Sequence, residues 1–230
     1  MSEARFRRLL PAGPDAGAAE LAGEYDLRAL ASGDRPAVAV NMIASLDGRI
    51  AVDGRARGLA NRADHELFHA TRAVADAVLV GAGTVRAESY GPMDQLAVVV
   101  SNSLDLSPEL GLLRAPGNRV LVVTGSGGEL APTAASVGYL RTGDLGEALR
   151  ALRADHGVGS VVCEGGAHLN ATLLGAGLVD ELHLVVSPLL VGGADPLTIV
   201  QGGLLDPPHE ATLVSLAESS GWLFSRYRFA

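Results

Sequence analysis

The sequence predicts an α/β domain of three layers, with helices on both faces of a mostly parallel central sheet and an antiparallel C-terminal edge. From residue 37 onward, short β-branched runs alternate with amphipathic stretches, which is typical of parallel strands joined by helices. Two alternating runs follow each other directly near the C-terminus, as in an antiparallel pair. Two of the earlier runs end in glycine-rich turns, where the backbone can approach a ligand closely.

Residues 1–35 are predicted to form an irregular lead-in, and residues 36–230 a single domain. Pro11, Gly13 and Pro14 interrupt the lead-in, and one short helix is expected between residues 18 and 30. A chain of 230 residues is long enough for one domain to bury roughly 70 % of its unfolded surface. One large domain is therefore favoured over two small ones.

The first half of the domain should contain four strands and one helix. The run 37–44 predicts a buried strand, and residues 45–48 a turn with glycine at its last position. Residues 61–75 have the apolar spacing of an amphipathic helix, and Asn61 is the expected N-cap. Three further apolar runs bounded by turn residues predict strands over 76–80, 95–100 and 119–123.

The second half should contain two helices and four strands. Asp144 and Glu147 have the spacing of a capping box, which predicts a helix that begins there. A short helix over 169–176 is expected to end at Gly177. The remaining runs predict strands over 160–163, 181–187, 212–217 and 222–229.

Composition excludes several classes of function. The net charge of −8 argues against nucleic acid or an anionic membrane as the partner. All 18 basic residues are arginine, so neither a lysine Schiff base nor a P-loop lysine is possible. Cys163 is the only cysteine, which leaves no intrachain disulfide, and its apolar run favours a buried, inert thiol. No signal-like or membrane-spanning run is found, so a cytoplasmic location is expected.

The two strand-to-glycine turns are the strongest sign of a ligand. The first contains Gly81, Gly83 and Thr84, and the second contains Gly165 and Gly166. Free N–H groups at such turns suit phosphate oxygens, so a dinucleotide is the favoured ligand. Arg86 replaces the third glycine of the dinucleotide fingerprint, and a plain tight turn remains an alternative. If Arg86 binds a 2′-phosphate, NADP is preferred over NAD.

Other catalytic motifs fit poorly, and no metal is expected. The cysteine pair and the spacing of a zinc deaminase are missing. The string from His65 to His69 matches the H-E-x-x-H pattern of zinc proteases, but a surface helix is the favoured interpretation. No G-x-S-x-G nucleophile elbow is found.

Four blocks of the chain, in order, resemble the reductase domain of riboflavin biosynthesis, a domain with a dihydrofolate-reductase-like fold. They lie within residues 37–228, and together they are fairly specific. They are Val40-Asn41-Met42-Ile43-Ala44-Ser45-Leu46-Asp47-Gly48-Arg49-Ile50; Arg72-Ala73 with 77–85; 162–170; and 177–182 with 187–193.

The resemblance implies an NADPH-dependent reduction. That family reduces the ribosylamino group of 5-amino-6-(5-phosphoribosylamino)uracil, with hydride transfer to C1′ of the open-chain imine. By matching positions, Arg72 would hold the substrate phosphate, Glu164 would contact the pyrimidine or ribose, and Asn41 would lie beside the substrate. Asp47 and Glu164 are the catalytic candidates, although a local turn role is favoured for Asp47. The cofactor would contact Ile43, Gly81, Gly83, Thr84, Arg86, Glu88, Asn102, Gly165, Gly166, Ala167, His168, Leu169 and Asn170.

Two departures from the family pattern keep alternatives open. Relatives often have lysine at the position of Asn41, and many have an Asp-Asp-Pro stretch where this chain has Glu88-Ser89-Tyr90-Gly91-Pro92. Glu88 could replace the first acid, but a substrate-facing arginine of the family has no clear counterpart. A reductase of another heterocycle, such as dihydrofolate, and a non-catalytic NADP-binding protein are the alternatives. The resemblance also implies a homodimer, and the family's usual N-terminal deaminase half is not found in this sequence.

Overall fold

The computed structural model describes residues 3–31, 33–194 and 197–230, and ten strands of this part form one sheet. The strands lie in the order β1-β9-β10-β8-β2-β7-β3-β4-β5-β6. The seven from β8 to β6 are parallel, whereas β10, β9 and β1 are antiparallel, which confirms the predicted sheet. Their bounds are β1 Arg7–Leu10, β2 Ala37–Ala44, β3 Ala77–Gly81, β4 Leu96–Val100, β5 Arg119–Val123, β6 Ser136–Leu140, β7 Ser160–Cys163, β8 Glu181–Val186, β9 Ala211–Ser219 and β10 Trp222–Phe229.

Helices cover both faces of this sheet. The six helices of the described residues are α1 Ala18–Gly23, α2 Arg62–Ala73, α3 Ala82–Ala87, α4 Gly111–Arg114, α5 Leu145–His156 and α6 Ala167–Gly175. On one face, the apolar side of α5 and α6 packs on alternate residues of β2, β3, β4, β5 and β7. On the other face, α1 and α2 share a core with Val185 and Phe224, and α3 and α4 share one with β4 and β5. The three predicted layers are therefore present.

The strand sequences explain why the centre of the sheet is covered on both sides. Strands β3, β4 and β7 consist almost entirely of Val, Ala, Leu and Cys, without the apolar–polar alternation of a half-exposed strand. All four residues of β7 are buried. Such strands are stable only where both faces are packed, and the helices on each side provide this packing.

The N-terminal segment is more regular than the sequence predicted. Arg7–Leu10 form an edge strand that pairs with β9, and the helix expected over 18–30 is divided into α1 and a 3₁₀ turn at Leu27–Leu30. Phe6 is completely buried, and its ring meets that of Phe224 edge to face at 5.0 Å. Strand β1 thus belongs to the sheet and Phe6 to its core, which is more order than an irregular lead-in would have.

The predicted helix caps are confirmed. The Asn61 side chain accepts a hydrogen bond from the N–H of Asp64 at 2.9 Å, and Asp144 accepts one from the N–H of Glu147 at 2.7 Å. The capping box at Asp144 is incomplete, because the Glu147 carboxylate accepts from the Thr142 hydroxyl instead of from the Asp144 N–H. Within the described ranges, no helix is long and apolar enough to cross a bilayer.

Candidate active site

The two glycine turns lie side by side at the carboxyl ends of β3 and β7. These strands are parallel neighbours, so their ends meet at one edge of the sheet. The N–H of Gly81 donates to the carbonyl of Gly165 at 2.8 Å, which joins the turns directly. In open parallel sheets, ligands bind at this edge, outside the carboxyl ends of the strands.

The contacts at this edge require small residues. A Cβ at Gly166 would lie 3.1 Å from the hydroxyl oxygen of Thr84, which is too close for an ordinary contact. Gly165 has φ +82°, a conformation that side chains rarely adopt. A Cβ at Gly83 would meet no described atom within 4 Å, so packing does not explain that glycine and its surface is open to a ligand.

Helix α6 begins directly after the second turn. Gly166 is its N-cap, and no side chain of the described residues caps it, so the first-turn N–H groups are available to an anion. His168 is exposed beside this terminus. Leu169 and Asn170 are buried, and the Asn170 amide donates to the carbonyl of Ile199 at 2.8 Å. The side chains of Leu169 and Asn170 therefore point into the protein, and their contact with a cofactor stays a prediction.

A buried ion pair lies beside the glycine turns. Glu164 follows the last residue of β7, and its side chain is only 2 % exposed. The guanidinium of Arg72, in the last turn of α2, donates from Nε and Nη2 to the two oxygens of Glu164, at 2.5 and 2.6 Å. The structure thus brings together two of the residues expected to contact the substrate, although they contact each other.

Two aromatic side chains that sequence reasoning missed complete this cluster. The Tyr90 hydroxyl donates to Oε2 of Glu164 at 2.7 Å. The Cζ atom of Arg72 lies 4.2 Å from the centre of the Phe68 ring and 5.2 Å from that of Tyr90. We name these four residues, Phe68, Arg72, Tyr90 and Glu164, the arginine cluster.

Burial and charge fix the protonation of the cluster. Burial, and then the charge and hydrogen bond of Glu164, raise the pKa of Tyr90 well above its usual range, so the phenol remains a donor. Burial alone would lower the pKa of Arg72, but the hydrogen bond and charge of Glu164 raise it. Cys163, next to Glu164, is fully buried, and burial raises its pKa to about 12. The thiol is therefore protonated at neutral pH and inert, as predicted.

Asp47 holds a loop. Its carboxylate accepts hydrogen bonds from the Ser45 hydroxyl at 2.5 Å and from the N–H groups of Val191 and Gly192 at 3.1 and 2.7 Å. These bonds, that of Ser45 most of all, hold the pKa of Asp47 well below its usual range. The structure therefore favours the turn interpretation of Asp47 over an acid that carries a proton.

The other predicted cofactor contacts are distributed around the same edge. Arg86 is exposed, and its Nη1 donates to the carbonyl of Asp105 at 2.8 Å. Glu88 accepts from the N–H of Ala56 at 2.8 Å, and Asn102 accepts from that of Gly125 at 3.1 Å. Ala167 is buried at the start of α6.

Asn41 and Ile43 lie on β2, on the face of the sheet that carries α2. Both residues are half-buried. The β2–β7 register pairs Val40 with Cys163, so Asn41 and Glu164 each lie one residue beyond that pair, on neighbouring strands. This register places Asn41 beside the arginine cluster.

The H-E-x-x-H string lies on helix α2. The Nε2 atoms of His65 and His69 lie 3.2 Å apart on an exposed part of α2. The Glu66 carboxylate instead accepts from the N–H of Ala4 at 2.7 Å and pairs with Arg62 at 3.2 Å. Among the residues described, no group of three or more His, Cys, Asp or Glu could hold a metal ion. The interpretation as a surface helix is therefore favoured here too.

Two open clefts lie away from this edge, whereas a small apolar cavity of about 20 Å³ is lined in part by Asn170. An open cleft of about 550 Å³ lies between the N-terminal segment, the start of α2 and Trp222. Another, of about 410 Å³, lies at the opposite ends of β3 to β6 and includes Asp76 and Arg119. Neither contains a residue predicted for the site. The candidate site is defined by the contacts at the strand ends.

Comparison with protein families and known sequences gives consistent matches. Residues 36–221 match the family model of the RibD C-terminal domain. A protein of Methanothermobacter thermautotrophicus named 2,5-diamino-6-ribosylamino-4(3H)-pyrimidinone 5′-phosphate reductase is 32% identical over 203 residues, which cover 80% of this chain and 93% of that protein. The riboflavin biosynthesis protein RibD of Mycobacterium tuberculosis is 32% identical over 179 residues, 72% of this chain but 45% of RibD. The chain thus spans nearly all of the first relative and about half of the second.

Solved structures show the same fold. A pyrimidine reductase-like protein from Corynebacterium diphtheriae superposes with a TM-score of 0.70 at 25% identity, over 85% of this chain and 92% of that one. RibD of Acinetobacter baumannii superposes with a TM-score of 0.74 at 23% identity, over 86% and 59%. The second likeness is one of fold alone.

Proposed function

The chain belongs to the RibD C-terminal domain family, and we propose that it is an NADPH-dependent reductase of a phosphorylated ribosylamino-pyrimidine. The substrate is 5-amino-6-(5-phosphoribosylamino)uracil or a close analogue, and the product carries a ribitylamino group. The archaeal relative that matches along nearly its whole length is named for a reductase of such a compound. The observation that carries the proposal is the arginine cluster, which adjoins the paired glycine turns through Glu164 and Gly165.

The residues at the strand ends fit a dinucleotide. The close contact of Gly81 with Gly165, the open surface at Gly83 and the uncapped start of α6 leave backbone N–H groups free of side chains. Thr84 adds a hydroxyl at the same point, and the exposed Arg86 and His168 add cationic or hydrogen-bonding groups at the rim. These residues would hold the phosphates, and Asn102 and Ile43 would flank the cofactor. When bound, the nicotinamide supplies the hydride.

The protein's own groups bind and orient the substrate. Arg72 has five N–H donors, and its pairing with Glu164 uses those of Nε and Nη2, which leaves the N–H groups of Nη1 outside the pair. Arg72 binds the substrate phosphate through these groups, while Glu164 fixes the guanidinium. Asn41, beside Glu164 on the next strand, contacts the ribosylamino part. Such positioning supplies a large share of the rate enhancement in hydride transfer.

The chain acts as a homodimer in this proposal, as its family resemblance implies. Several large apolar side chains are exposed along one region of the fold and could be covered by a second copy. Leu46 and Leu189 are joined by a backbone hydrogen bond of 2.8 Å, and Leu190 is 77% exposed next to them. Sedimentation of the purified chain tests this part directly.

The function is tested by following loss of NADPH absorbance with the phosphorylated pyrimidine as substrate. We expect turnover by the native chain, and a loss of roughly 10²-fold or more in kcat/KM for Arg72→Gln, because the charged contact from Arg72 to the substrate phosphate is removed. The matched control is Arg119→Gln, an exposed arginine at the opposite end of the sheet, which should keep native turnover.

The test also separates the alternatives. In a melting assay, NADPH at about 100 times its dissociation constant should stabilise the chain by about 2.7 kcal/mol, and NADH at the same concentration by less. Turnover of dihydrofolate but not of the pyrimidine would indicate a reductase of another heterocycle. Binding of NADPH without turnover of either compound would indicate a non-catalytic protein.

A further inference from the structure

We propose that Tyr90 is a positioning residue that sets the affinity of Arg72 for the phosphate of the substrate. The inference rests on the proposed function, which assigns the phosphate to Arg72. It concerns a residue in the stretch where this chain departs from the family pattern and lacks a substrate-facing arginine. Tyr90 acts through Glu164 and Arg72 and need not touch the substrate itself.

The carboxylate of Glu164 is surrounded by hydrogen-bond donors. Its carboxylate is almost fully buried, so each oxygen must find partners inside the protein. Arg72 supplies one donor to each oxygen, and the Tyr90 hydroxyl supplies another to Oε2 at 2.7 Å. Because the pKa of Tyr90 is raised, this donor persists across the physiological range. Tyr90 thereby fixes the carboxylate on which the guanidinium is aligned.

Two aromatic rings lie against the guanidinium of Arg72. Arg72 lies within cation–π distance of both Phe68 and Tyr90, at 4.2 and 5.2 Å from the ring centres. Its side chain is only 13 % exposed, in contrast to a solvated arginine at a helix end. The guanidinium therefore has one orientation before any ligand arrives, and its Nη1 atom projects from the pair.

Affinity follows from this preorganisation. A flexible arginine loses side-chain entropy when it binds an anion, whereas one already held in place does not. A hydrogen bond to a charged group stabilises more than a hydrogen bond between neutral groups. The bond from the Tyr90 hydroxyl to Glu164 should therefore contribute measurably to holding Arg72 in place. Loss of the hydroxyl should weaken phosphate binding without changing the reacting geometry at C1′.

The chain provides a matched control in Tyr139. Its ring also lies against an arginine, Arg141, at 4.1 Å, and its hydroxyl is also hydrogen-bonded, here as the acceptor from the N–H of Leu130 at 2.7 Å. Tyr139 lies on β6, at the far edge of the sheet. Tyr139→Phe therefore removes a comparable phenol from a comparable setting outside the candidate site.

The first measurement needs neither cofactor nor substrate. Solvent exchange of the Arg72 Nε–H is followed by ¹H–¹⁵N NMR in the native chain, Tyr90→Phe and Tyr139→Phe. We expect exchange to become about five- to ten-fold faster in Tyr90→Phe, because Glu164 has lost one of its donors. Tyr139→Phe should leave the rate unchanged. Equal rates in all three chains would overturn the proposal.

The second measurement separates binding from chemistry. In Tyr90→Phe, we expect KM for the phosphorylated pyrimidine and Kd for ribose 5-phosphate to rise about ten-fold, with kcat changed less than about two-fold. Tyr90→Leu, which also lacks the ring, should show the larger rise. A fall in kcat at constant KM would overturn the positioning role and make Tyr90 a proton donor. Unchanged KM and Kd, or a native chain that does not bind ribose 5-phosphate, would also overturn it.

The two proposals fail in different ways. If the native chain turns over no pyrimidine, but Tyr90→Phe still speeds the Arg72 exchange and weakens ribose 5-phosphate, the proposed function is wrong and the positioning role stands. If turnover is present and neither quantity changes, the positioning role is wrong and the function stands. Thermal unfolding of both Tyr→Phe variants checks that neither effect comes from a damaged fold.

Discussion

Asp47 illustrates how one carboxylate can be mistaken for a catalytic acid. It lies in a family-like motif at a strand end, which makes it a candidate from sequence. The structure gives it three hydrogen-bond donors, two of them backbone N–H groups more than 140 residues away in the chain. No local sequence pattern predicts partners so distant. The role of Asp47 in holding the loop at 191–192 can therefore be identified only from the structure.

Replacing Asp47 by asparagine should leave the reductase active. Because the pKa of Asp47 is held well below its usual range, the group carries no proton to donate at neutral pH. The expected change in kcat is far smaller than the roughly 10²–10⁴-fold loss that follows removal of a general acid. Steady-state kinetics at pH 7 measures it, and a loss in the larger range would restore Asp47 as a catalytic residue. Asp47→Ala should in addition speed amide exchange at Val191 and Gly192.

Tyr90 marks the limit of sequence reasoning in the site. The glycines, Arg72 and Glu164 could be identified because strand ends and a family resemblance point to them. Tyr90 lies 74 positions from Glu164, in a stretch without periodicity and unlike the family pattern. Contacts of that kind are set by the packing of distant segments and leave no local signal.

Strands with strong apolar runs were predicted closely, whereas edge strands were not. The observed β5 has the predicted bounds, and β8 ends one residue earlier than predicted. Strand β6 was missed because Gly138 interrupts it, yet a Cβ there would lie 2.8 Å from the Leu121 side chain on β5. The glycine is required by the neighbouring strand, which the sequence of β6 alone cannot reveal.

Strand β1 was missed for a different reason. It is only four residues long, carries two arginines and is mostly exposed. Its stability depends on pairing with β9 and on Phe6, which precedes it in the core against Phe224. The family match begins at residue 36, so this anchoring belongs to a part of the chain outside that match.

The N-terminal segment should therefore contribute strongly to stability. Phe6→Ala is expected to lower the free energy of unfolding by about 3–5 kcal/mol, since a fully buried ring is removed. The control is Leu9→Ala in β1, where the side chain is 39% exposed and the change should be within about 0.5 kcal/mol. Denaturant unfolding measures both. Equal, small effects would show that the segment is dispensable.

The antiparallel part of the molecule is held by one buried carboxylate. Glu181, at the start of β8, is completely buried and accepts hydrogen bonds from Arg226 and Arg228 of β10 at 2.7 to 3.1 Å. His183 lies 3.0 Å from the same carboxylate. Burial alone would raise the pKa of Glu181, but the bonds from His183, Arg228 and Arg226 lower it to about 2. The sequence predicted that Glu181 lies on a strand. Its arginine partners could not be predicted, because they depend on how β8 and β10 align in the sheet.

This network predicts how stability depends on pH. Because the folded pKa lies below the unfolded value of about 4.3, Glu181 stabilises the fold above that value. The contribution is lost as pH falls from about 4.3 to about 2. The free energy of unfolding of the native chain should decline in this window, and that of Glu181→Gln should decline less.

At neutral pH, Glu181→Gln should lower the free energy of unfolding by about 3–5 kcal/mol, because Arg226 and Arg228 lose their buried charged partner. The control is Glu218→Gln, which breaks the more exposed pair with Arg7 and should cost less than about 1 kcal/mol. Chemical unfolding from pH 7 to pH 2 measures both effects. Parallel pH profiles for the native chain and Glu181→Gln would contradict the assigned role.

The order of the strands has a consequence for biosynthesis. Strand β2 is made early, but its two neighbours, β7 and β8, emerge from the ribosome more than 110 residues later. The separation in sequence between β1 and its partner β9 is larger still. In a nascent chain that stops before residue 160, the apolar strand β2 therefore has no partner on either edge. Chaperones recognise such exposed strands, which are prone to aggregate. Strands β1 and β2 are paired only when the C-terminal third of the chain, which contains β7, β8 and β9, has been made.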